Sequence, residues 1–526
     1  MELSSRPLLT RRERSASLLP VQRAGRNNPC RSRATRKLGF LAGLILASLA
    51  SHVQADEPDV SAATVANRLA QVREKYDQPY VYAKSHKSDY LFDQDALRRY
   101  DIILEDADLK FLNDSPVREQ YVEGALLFEG KLLSHVGVRY KGEHGSFEHF
   151  VKDFKVGKDG VASSGPKLAS KLSLKVKVNW KSKKDKFYGV KKLQFHSMNH
   201  DRGMMRERLY WWLLGQFGNP VPRCMHAKVY INGKYSGIYA LTEQIDGRFA
   251  DHHFKDGDGN LYKSVWPVDP NNTLKPEKHL KAALKTNEEA GDVSRFQAFA
   301  QDVLGANPSQ VDSVMNRWFD VEQLMRLYVV MNTLGHHDSA VFGGCGFGPS
   351  PNANFYWYVE SQRKRVHLIP WDMDQEIGGP GYVGRREPSR PRDDLDLQQE
   401  EEHDEDDDQE ELDEDDQDVD KADVDNGTPE SEYVGPSRDK LVLGVRSCFK
   451  GPKCEQLYEQ FLREYYNSKY INPLLDKWSA QIEDAVAEAS KLYNDVPSVE
   501  QQKQAVEILK KIVADFDKND PPSCLW

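Results

Sequence analysis

The chain has 526 residues, 39% hydrophobic, 29% charged and 10% aromatic, with a formal net charge of -10. This excludes a wholly disordered chain and leaves room for one large domain or two of ordinary size. The charge is uneven: residues 393–425 hold 21 Asp and Glu against one Lys, the first 38 residues hold ten Lys and Arg against two Glu, and the remainder is nearly neutral, so no global field points to nucleic acid as a partner.

Residues 38–50, L-G-F-L-A-G-L-I-L-A-S-L-A, form an apolar run of 13. A membrane span needs about 20. Basic residues precede the run, and Val53-Gln54-Ala55 offers a small-x-small cleavage site. The spacing predicts a signal peptide over 1–55, cut after Ala55, with retention as an N-terminal anchor as the alternative. The protein is therefore expected to be secreted, periplasmic or cell-surface, with no membrane span in the mature chain unless the signal is retained. Five cysteines follow the signal, and Cys448 with Cys454 is the expected disulfide. With no Cys-x-x-Cys pair, metal ligation by cysteine is disfavoured.

Residues 56–116 read as linker and N-terminal extension, with a candidate short strand within 98–110. The run Y-V-E-G-A-L-L-F-E-G-K-L-L-S-H-V-G-V-R-Y predicts two strands turning near Glu129-Gly130. Residues 171–178 alternate, with Leu172, Leu174, Val176 and Val178 on one face and Lys171, Ser173, Lys175 and Lys177 on the other. A short strand is expected at 190–196, then a helix at about 203–217 capped by Asn199 or Asp201. Asn232-Gly233 between two alternating apolar runs predicts a hairpin, because both central residues of its turn need positive φ. Residues 279–304 and 307–334 look mainly helical, and 354–359 with 365–370 look like a second hairpin. The acidic stretch cannot build a core, so 393–435 is expected as a solvated, disordered insert, with a helical pattern resuming over 436–526.

The sharpest chemical signal is V-H-L-I-P-W-D-M-D-Q-E-I-G at 366–378. An apolar strand delivers Asp372 and Asp374 at its exit, on one face if the strand stays ideal. Paired carboxylates there suit a divalent cation with substrate phosphates as its other ligands. Asn354 could add a neutral oxygen. Asp338, leaving an apolar helix, could orient or deprotonate an acceptor hydroxyl or bind metal. The turn containing Arg139, Lys141 and Gly142 can let backbone amides approach an anion, and a plain surface hairpin is its alternative. Lys171 or Lys175 could meet phosphates with Glu207 as partner; strand lysines otherwise face water. Glu243 ends a hairpin strand and could meet a base or cap the next helix. Asp256, Asp258 and Asn260 resemble half a calcium loop, but Pro267 stands where its Glu would be.

Several blocks together resemble the spore coat protein H (CotH) kinase family: V-R-Y-K-G-E-H-G-S at 138–146, M-R-E-R-L at 205–209, V-Y-I-N-G-K-Y-S-G-I-Y-A-L-T-E-Q-I-D at 229–246, N-L-Y-K at 260–263, N-F-Y-W-Y at 354–358 and L-I-P-W-D-M-D-Q-E-I-G at 368–378. The resemblance implies an α+β, divergent protein-kinase-like two-lobed fold. It has a mainly antiparallel β N-lobe over 117–250 and a mainly helical C-lobe whose central part, 251–392, carries the metal site. It also implies ATP with Mg2+ or Mn2+ (Ca2+ as an alternative) and transfer of the γ-phosphate to Ser or Thr of secreted or surface proteins. A basic substrate would complement the acidic insert. Residue by residue, Asp338 matches the catalytic-region aspartate, Asp372 the metal aspartate, and Asn354 and Asp374 its helpers. Lys171 matches the phosphate lysine, with Lys175 as the alternative, Glu207 is its helix partner, and Glu243 lies at the nucleotide-facing end of the hinge-like strand. K-G-E-H-G-S replaces the family's usual R-G-N-x-S turn. A non-catalytic pseudokinase scaffold, or phosphoryl or nucleotidyl transfer to a saccharide or small molecule, are the competing readings.

Overall fold

Seven of the alternating segments close into a barrel. The computed structural model describes residues 88–374 apart from 143, 158–160, 269–272, 308 and 335–353, and residues 456–516 apart from 458 and 463–467. The expected signal peptide, the acidic insert, Asp338 and the expected Cys448–Cys454 pair lie outside these. In chain order the strands are β1 (Arg98–Leu104), β2 (Val122–Phe128), β3 (Lys131–Tyr140), the two-residue ribbon β4 (Lys155–Val156) and β5 (Ala162–Ser163), β6 (Leu174–Lys177), β7 (Lys192–His196), β8 (Cys224–Ile231) and β9 (Lys234–Thr242). Around the barrel the order is β1-β2-β3-β6-β7-β9-β8, and β8 closes it by pairing in parallel with β1. β1 falls in the stretch read as linker and extension, and its pairing with β2 and β8 makes it part of the barrel.

The alternation puts one set of side chains inside. Leu174 and Val176 of β6 join Tyr100, Phe128, Val138, Tyr140, Phe195, Tyr239 and Leu241 in the barrel core. Each such side chain contributes roughly 1.5–3 kcal/mol on burial. Two turns follow from backbone chemistry. Glu129-Gly130 joins β2 to β3 with φ of 48° and 75°, and Asn232-Gly233 joins β8 to β9 with φ of 49° and 77°. Both match the sequence expectation.

Outside the barrel lies a second core. It contains a three-stranded sheet, β10 (Asn260–Lys263), β11 (Phe355–Val359) and β12 (Val366–Pro370), in that spatial order. Helices surround it. The two long helical stretches expected at 279–304 and 307–334 are broken into Glu277–Ala282, Ser294–Gly305, Val311–Trp318 and Val321–Thr333. The first break holds Gly291 at φ 55°. At the last, Phe319 turns extended and the Asp320 carboxylate accepts from the Gln323 amide to start a new helix. The fold is thus mixed α+β. No helix among the described residues is long and apolar enough to cross a membrane.

Helix Arg206–Gln216 joins the two cores. Asp201 accepts from the backbone amides of Gly203 and Arg206 at 3.0 and 2.7 Å and holds its start. Arg208, fully buried, donates to His226 Nδ1, Gln481 Oε1, and both the side-chain and backbone oxygens of Gln94. Its guanidinium lies 4.3 Å from the Trp478 ring centroid. It ties the N-terminal segment, the barrel and helix Ser468–Leu492 together. Arg208→Leu removes every one of these donors and leaves His226 Nδ1 buried without one. We expect it to lower the unfolding free energy by about 3 kcal/mol, read by denaturant melts, since a hydrogen bond to a charged group is worth about 1.5–3 kcal/mol.

Candidate functional site

Strand register sets the site. Arg139 on β3 pairs with Lys175 on β6, Lys175 with Gln194 on β7, and Gln194 with Thr242 on β9. These neighbours form one row, in which Arg139, Lys175 and Gln194 are 2%, 1% and 2% exposed. The face read as polar is therefore covered rather than bathed in water. Beyond it the row Ser197–Ser173 and the pair Lys141–His196 lead to the mouth of a cleft, where Lys141 Nζ lies 3.0 Å from His196 Nε2.

The cleft is open to solvent, and its cavity volume is about 60 Å3. Lys141, Gly142 and Ser146 line one side and Glu119, Gln194 and Gln244 stand beside them. Lys263, Asn354, Tyr356, Trp371 and Asp372 complete it from the three-stranded sheet and its ends. Glu119 Oε1 accepts from Arg139 Nη1 at 2.6 Å and from the Gly142 amide at 2.9 Å, which pins the turn. A Cβ on Gly142 would meet Ser146 Cβ at 2.4 Å, so glycine is required for this close approach. Among the described residues that line the cleft, two buried amide atoms have no partner: Gln194 Nε2, a donor, and Gln244 Oε1, an acceptor.

The β11–β12 pair opens at this cleft. Phe355 is opposite Pro370, and the Trp371 amide donates to the Asn354 carbonyl at 2.8 Å. Immediately flanking it, Asn354 and Asp372 both adopt left-handed backbone, with φ of 62° and 57°. Asn and Asp tolerate that region better than most residues. The two side chains thus meet one cleft from the two arms of a single hairpin. One carboxylate and one carboxamide oxygen suit a hard divalent ion that keeps positions for water and phosphate. The residues present fit such an ion. Among the described residues no group of three or more His, Cys, Asp or Glu forms a cation cage.

The other predicted residues are placed differently. β12 ends at Pro370, so Asp372 and Asp374 do not share a strand face; the chain turns at Asp372, and Met373 between them is fully buried. Asp374 does not line the cleft. Lys171 and Glu207 do not pair. The Lys171 ammonium donates to the Ile238 carbonyl at 2.6 Å and lies 5.2 Å from the Tyr239 ring. Glu207 instead receives His196 Nδ1 at 2.8 Å, Thr242 Oγ1 at 2.7 Å and Trp211 Nε1 at 3.3 Å. Burial opposes its charge, but His196 and these hydrogen bonds hold its pKa below the usual value. Lys175, through its register with Gln194, sits nearer the cleft row. Glu243 is engaged by Arg223 and by His253 at 3.0 Å; despite burial, those partners hold it down at about 2. Its neighbour Gln244 faces the cleft instead. Cys224 is a buried free thiol whose burial pushes its pKa up.

Residues 138–515 match the CotH kinase protein family. The chain belongs to that family. It is also 21% identical over 294 residues to the inner spore coat protein H of Bacillus subtilis strain 168, a span covering 54% of this chain and 70% of that protein. In this CotH family member the match starts in β3 and ends in the helix Val499–Phe516, so every cleft-lining residue except Glu119 lies inside it. Sequence reading singled out Lys141, Gly142, Asn354 and Asp372. It passed over Lys263, Tyr356 and Trp371, although each sits in a family block. Glu119 and Gln194 carried no local signal.

Lys171 yields a prediction of its own. Burial pushes its pKa down to about 7, against smaller opposing effects of Asp495 and Asp201. Below pH 7 the ammonium is charged in both folded and unfolded chains, and the burial penalty is complete. Between about 7 and the ordinary lysine range the unfolded chain holds more protons, so stability climbs with pH. The total is on the order of 5 kcal/mol. Lys171→Met should raise the melting temperature at pH 6 and flatten the rise between pH 7 and 10. An unchanged pH slope in that variant would assign the slope to other groups.

Proposed function

We propose that the chain is an atypical kinase that transfers the γ-phosphate of ATP to Ser or Thr hydroxyls of secreted or surface proteins, with Mg2+ or Mn2+. One observation carries this reading. A single cleft gathers two lysines, a glycine turn, two amides with unsatisfied atoms, and an Asn–Asp pair on one hairpin end. The barrel on one side and the three-stranded sheet with its helices on the other fit a divergent two-lobed kinase-like arrangement. The relation to a spore coat protein supports a role outside the cytoplasm.

A bound divalent ion supplies charge neutralisation between nucleotide phosphates. Asp372 and Asn354 are its oxygen donors from the chain. Lys141 and Lys263 draw the phosphates and offset their charge. Gly142 lets the backbone of its turn approach them. Gln194 and Gln244 offer one donor and one acceptor to the nucleotide, and Trp371 and Tyr356 wall the cleft against water. Asp338, assigned by family resemblance, orients the acceptor hydroxyl and takes its proton as the oxygen–phosphorus bond forms and the bond to ADP breaks.

A second reading is a nucleotide-binding scaffold without transfer. The unformed Lys171–Glu207 pair favours it, because that ion pair positions phosphate in ordinary kinases. The two part in one assay. With γ-labelled ATP and a Ser/Thr-rich acceptor, the wild type labels protein, whereas α-labelled ATP leaves protein unlabelled. Asp372→Asn lowers that labelling by roughly 100-fold or more, since metal-borne charge stabilisation is worth several kcal/mol. Its melting temperature stays within a few degrees of wild type. Full turnover by Asp372→Asn rules out the metal assignment; nucleotide binding with no labelling by wild type selects the scaffold.

A further inference from the structure

One strongly charged face of the barrel is used by none of the steps above. Residues 177–192 hold seven Lys against one Asp and span the connection from β6 to β7. Apolar anchors fix this connection. Phe187, Tyr188 and Val190 are buried in the barrel core, and Phe187 and Val190 exchange backbone hydrogen bonds at 2.8 and 3.0 Å. The lysines stay nearer the surface. Lys181, Lys183 and Lys184 are exposed, and Lys177, Lys186, Lys191 and Lys192 are half-buried. Arg248 joins them from the helix Gly247–His253. Burial, and then the Arg248 and Lys191 charges, hold the Lys186 pKa below the ordinary lysine value, against Asp251 and Asp246. Acids stand among these cations: Glu123 meets Lys181 at 2.7 Å, Asp251 meets Arg248 at 2.8 Å, and Asp185 and Asp246 lie nearby. The seven lysines and Arg248 outnumber those four acids two to one.

The same chain carries the opposite charge in excess, with 21 Asp and Glu against one Lys in residues 393–425. We propose that this acidic segment docks, within one chain, on the basic face built by the β6–β7 connection and Arg248. Each group repels itself, and bringing the two together relieves both repulsions. The chain is long enough. Asp374, two residues past the cleft-lining Asp372, is followed about 19 residues later by Asp393, and a chain of that length spans up to roughly 65 Å. A compact domain of this size is about 50 Å wide. The tether also favours the chain's own segment over an outside acidic partner, because it supplies an effective concentration on the order of 1 mM. The face adjoins the cleft. Lys192 stands two residues before the cleft-lining Gln194 on β7, and its charge reaches Asp246, two residues past the cleft-lining Gln244. A docked segment therefore sets negative charge beside that edge of the cleft. Docking needs neither nucleotide nor phosphoryl transfer, so it stands or falls apart from the kinase reading.

The test uses the full chain. Light and isotope-heavy copies are mixed equally and treated with a zero-length carbodiimide, which joins a carboxylate to an ammonium it touches. Peptide mass spectrometry maps the links. Links from residues 393–425 should reach Lys183, Lys184 and Lys191 within single chains, about threefold more often than exposed Lys234 and Lys278. They should disappear at about 1 M salt, where the Debye length is about 3 Å. A second readout needs no linking. The combined variant Asp404→Asn, Glu405→Gln, Asp406→Asn, Asp407→Asn and Asp408→Asn alters no described residue. It should raise acetylation of Lys183, Lys184 and Lys191 about twofold and leave Lys234 and Lys278 unchanged. Links spread evenly over Lys234 and Lys278, or unchanged acetylation in the variant, overturn the inference. Links mainly between light and heavy chains overturn it too, and make a second copy the occupant of the face.

Discussion

Two opposite charges, adjacent on one helix and both buried, set the geometry of this molecule. Glu207 and Arg208 are 2% and 0% exposed, and they do not bond each other. Successive helical residues point about 100° apart, so each must find its own partners. A buried charge without them costs several kcal/mol. Glu207 finds His196, Thr242 and Trp211; Arg208 finds His226, Gln94 and Gln481. Helix Arg206–Gln216 lies on the barrel where both sets of partners are reached, those of Glu207 all through Oε1. That placement also brings Trp211 against Trp371, with centroids 6.3 Å apart, and so sets a wall of the cleft.

His196 pairs across the sheet with Ala240, and Ala240 pairs with His226, so the rings flank a small residue in one row. The His226 ring accepts from Arg208 on one nitrogen and donates from the other to the Met204 carbonyl at 2.6 Å. Burial, and then the Arg208 charge, push the His226 pKa well down, which keeps that ring neutral. A neutral His226 ring can accept from the buried Arg208 guanidinium without adding a second charge beside it.

Local rules in the sequence read well where the cause is local. Asn232-Gly233 needs positive φ, and the turn has it. Leu172, Leu174, Val176 and Val178 alternate into the barrel core. The same alternation could not say what covers Lys171, because the residues against it, Gly237, Ile238 and Tyr239, come from a strand far along the chain. Periodicity names a face; tertiary packing decides whether that face is wet. The Asp372–Asp374 pair failed for a related reason. Strand spacing assumes that the strand continues, and it stops at Pro370, after which a left-handed Asp372 turns alone toward the cleft. Glu119, Gln194 and Lys263 each arrive from a separate element, so no single window of sequence contained the site.

Glu119 shows how the turn of the assembled cleft is fixed. It bonds the buried Arg139 guanidinium and the Gly142 amide with the same oxygen, at 2.6 and 2.9 Å. The glycine turn is thereby set before any ligand arrives. Lys141 is held by His196, and the hairpin end that carries Asn354 and Asp372 is held by the Trp371–Asn354 backbone hydrogen bond. Tethered groups lose little conformational entropy on binding, whereas each free, rotamer-rich side chain costs about 0.5–1.5 kcal/mol to immobilise. Prearranged polar groups also act without reorganising as charge develops. The unsatisfied atoms of Gln194 and Gln244 point the same way, since a buried donor and a buried acceptor are stable company only when a ligand or solvent completes them.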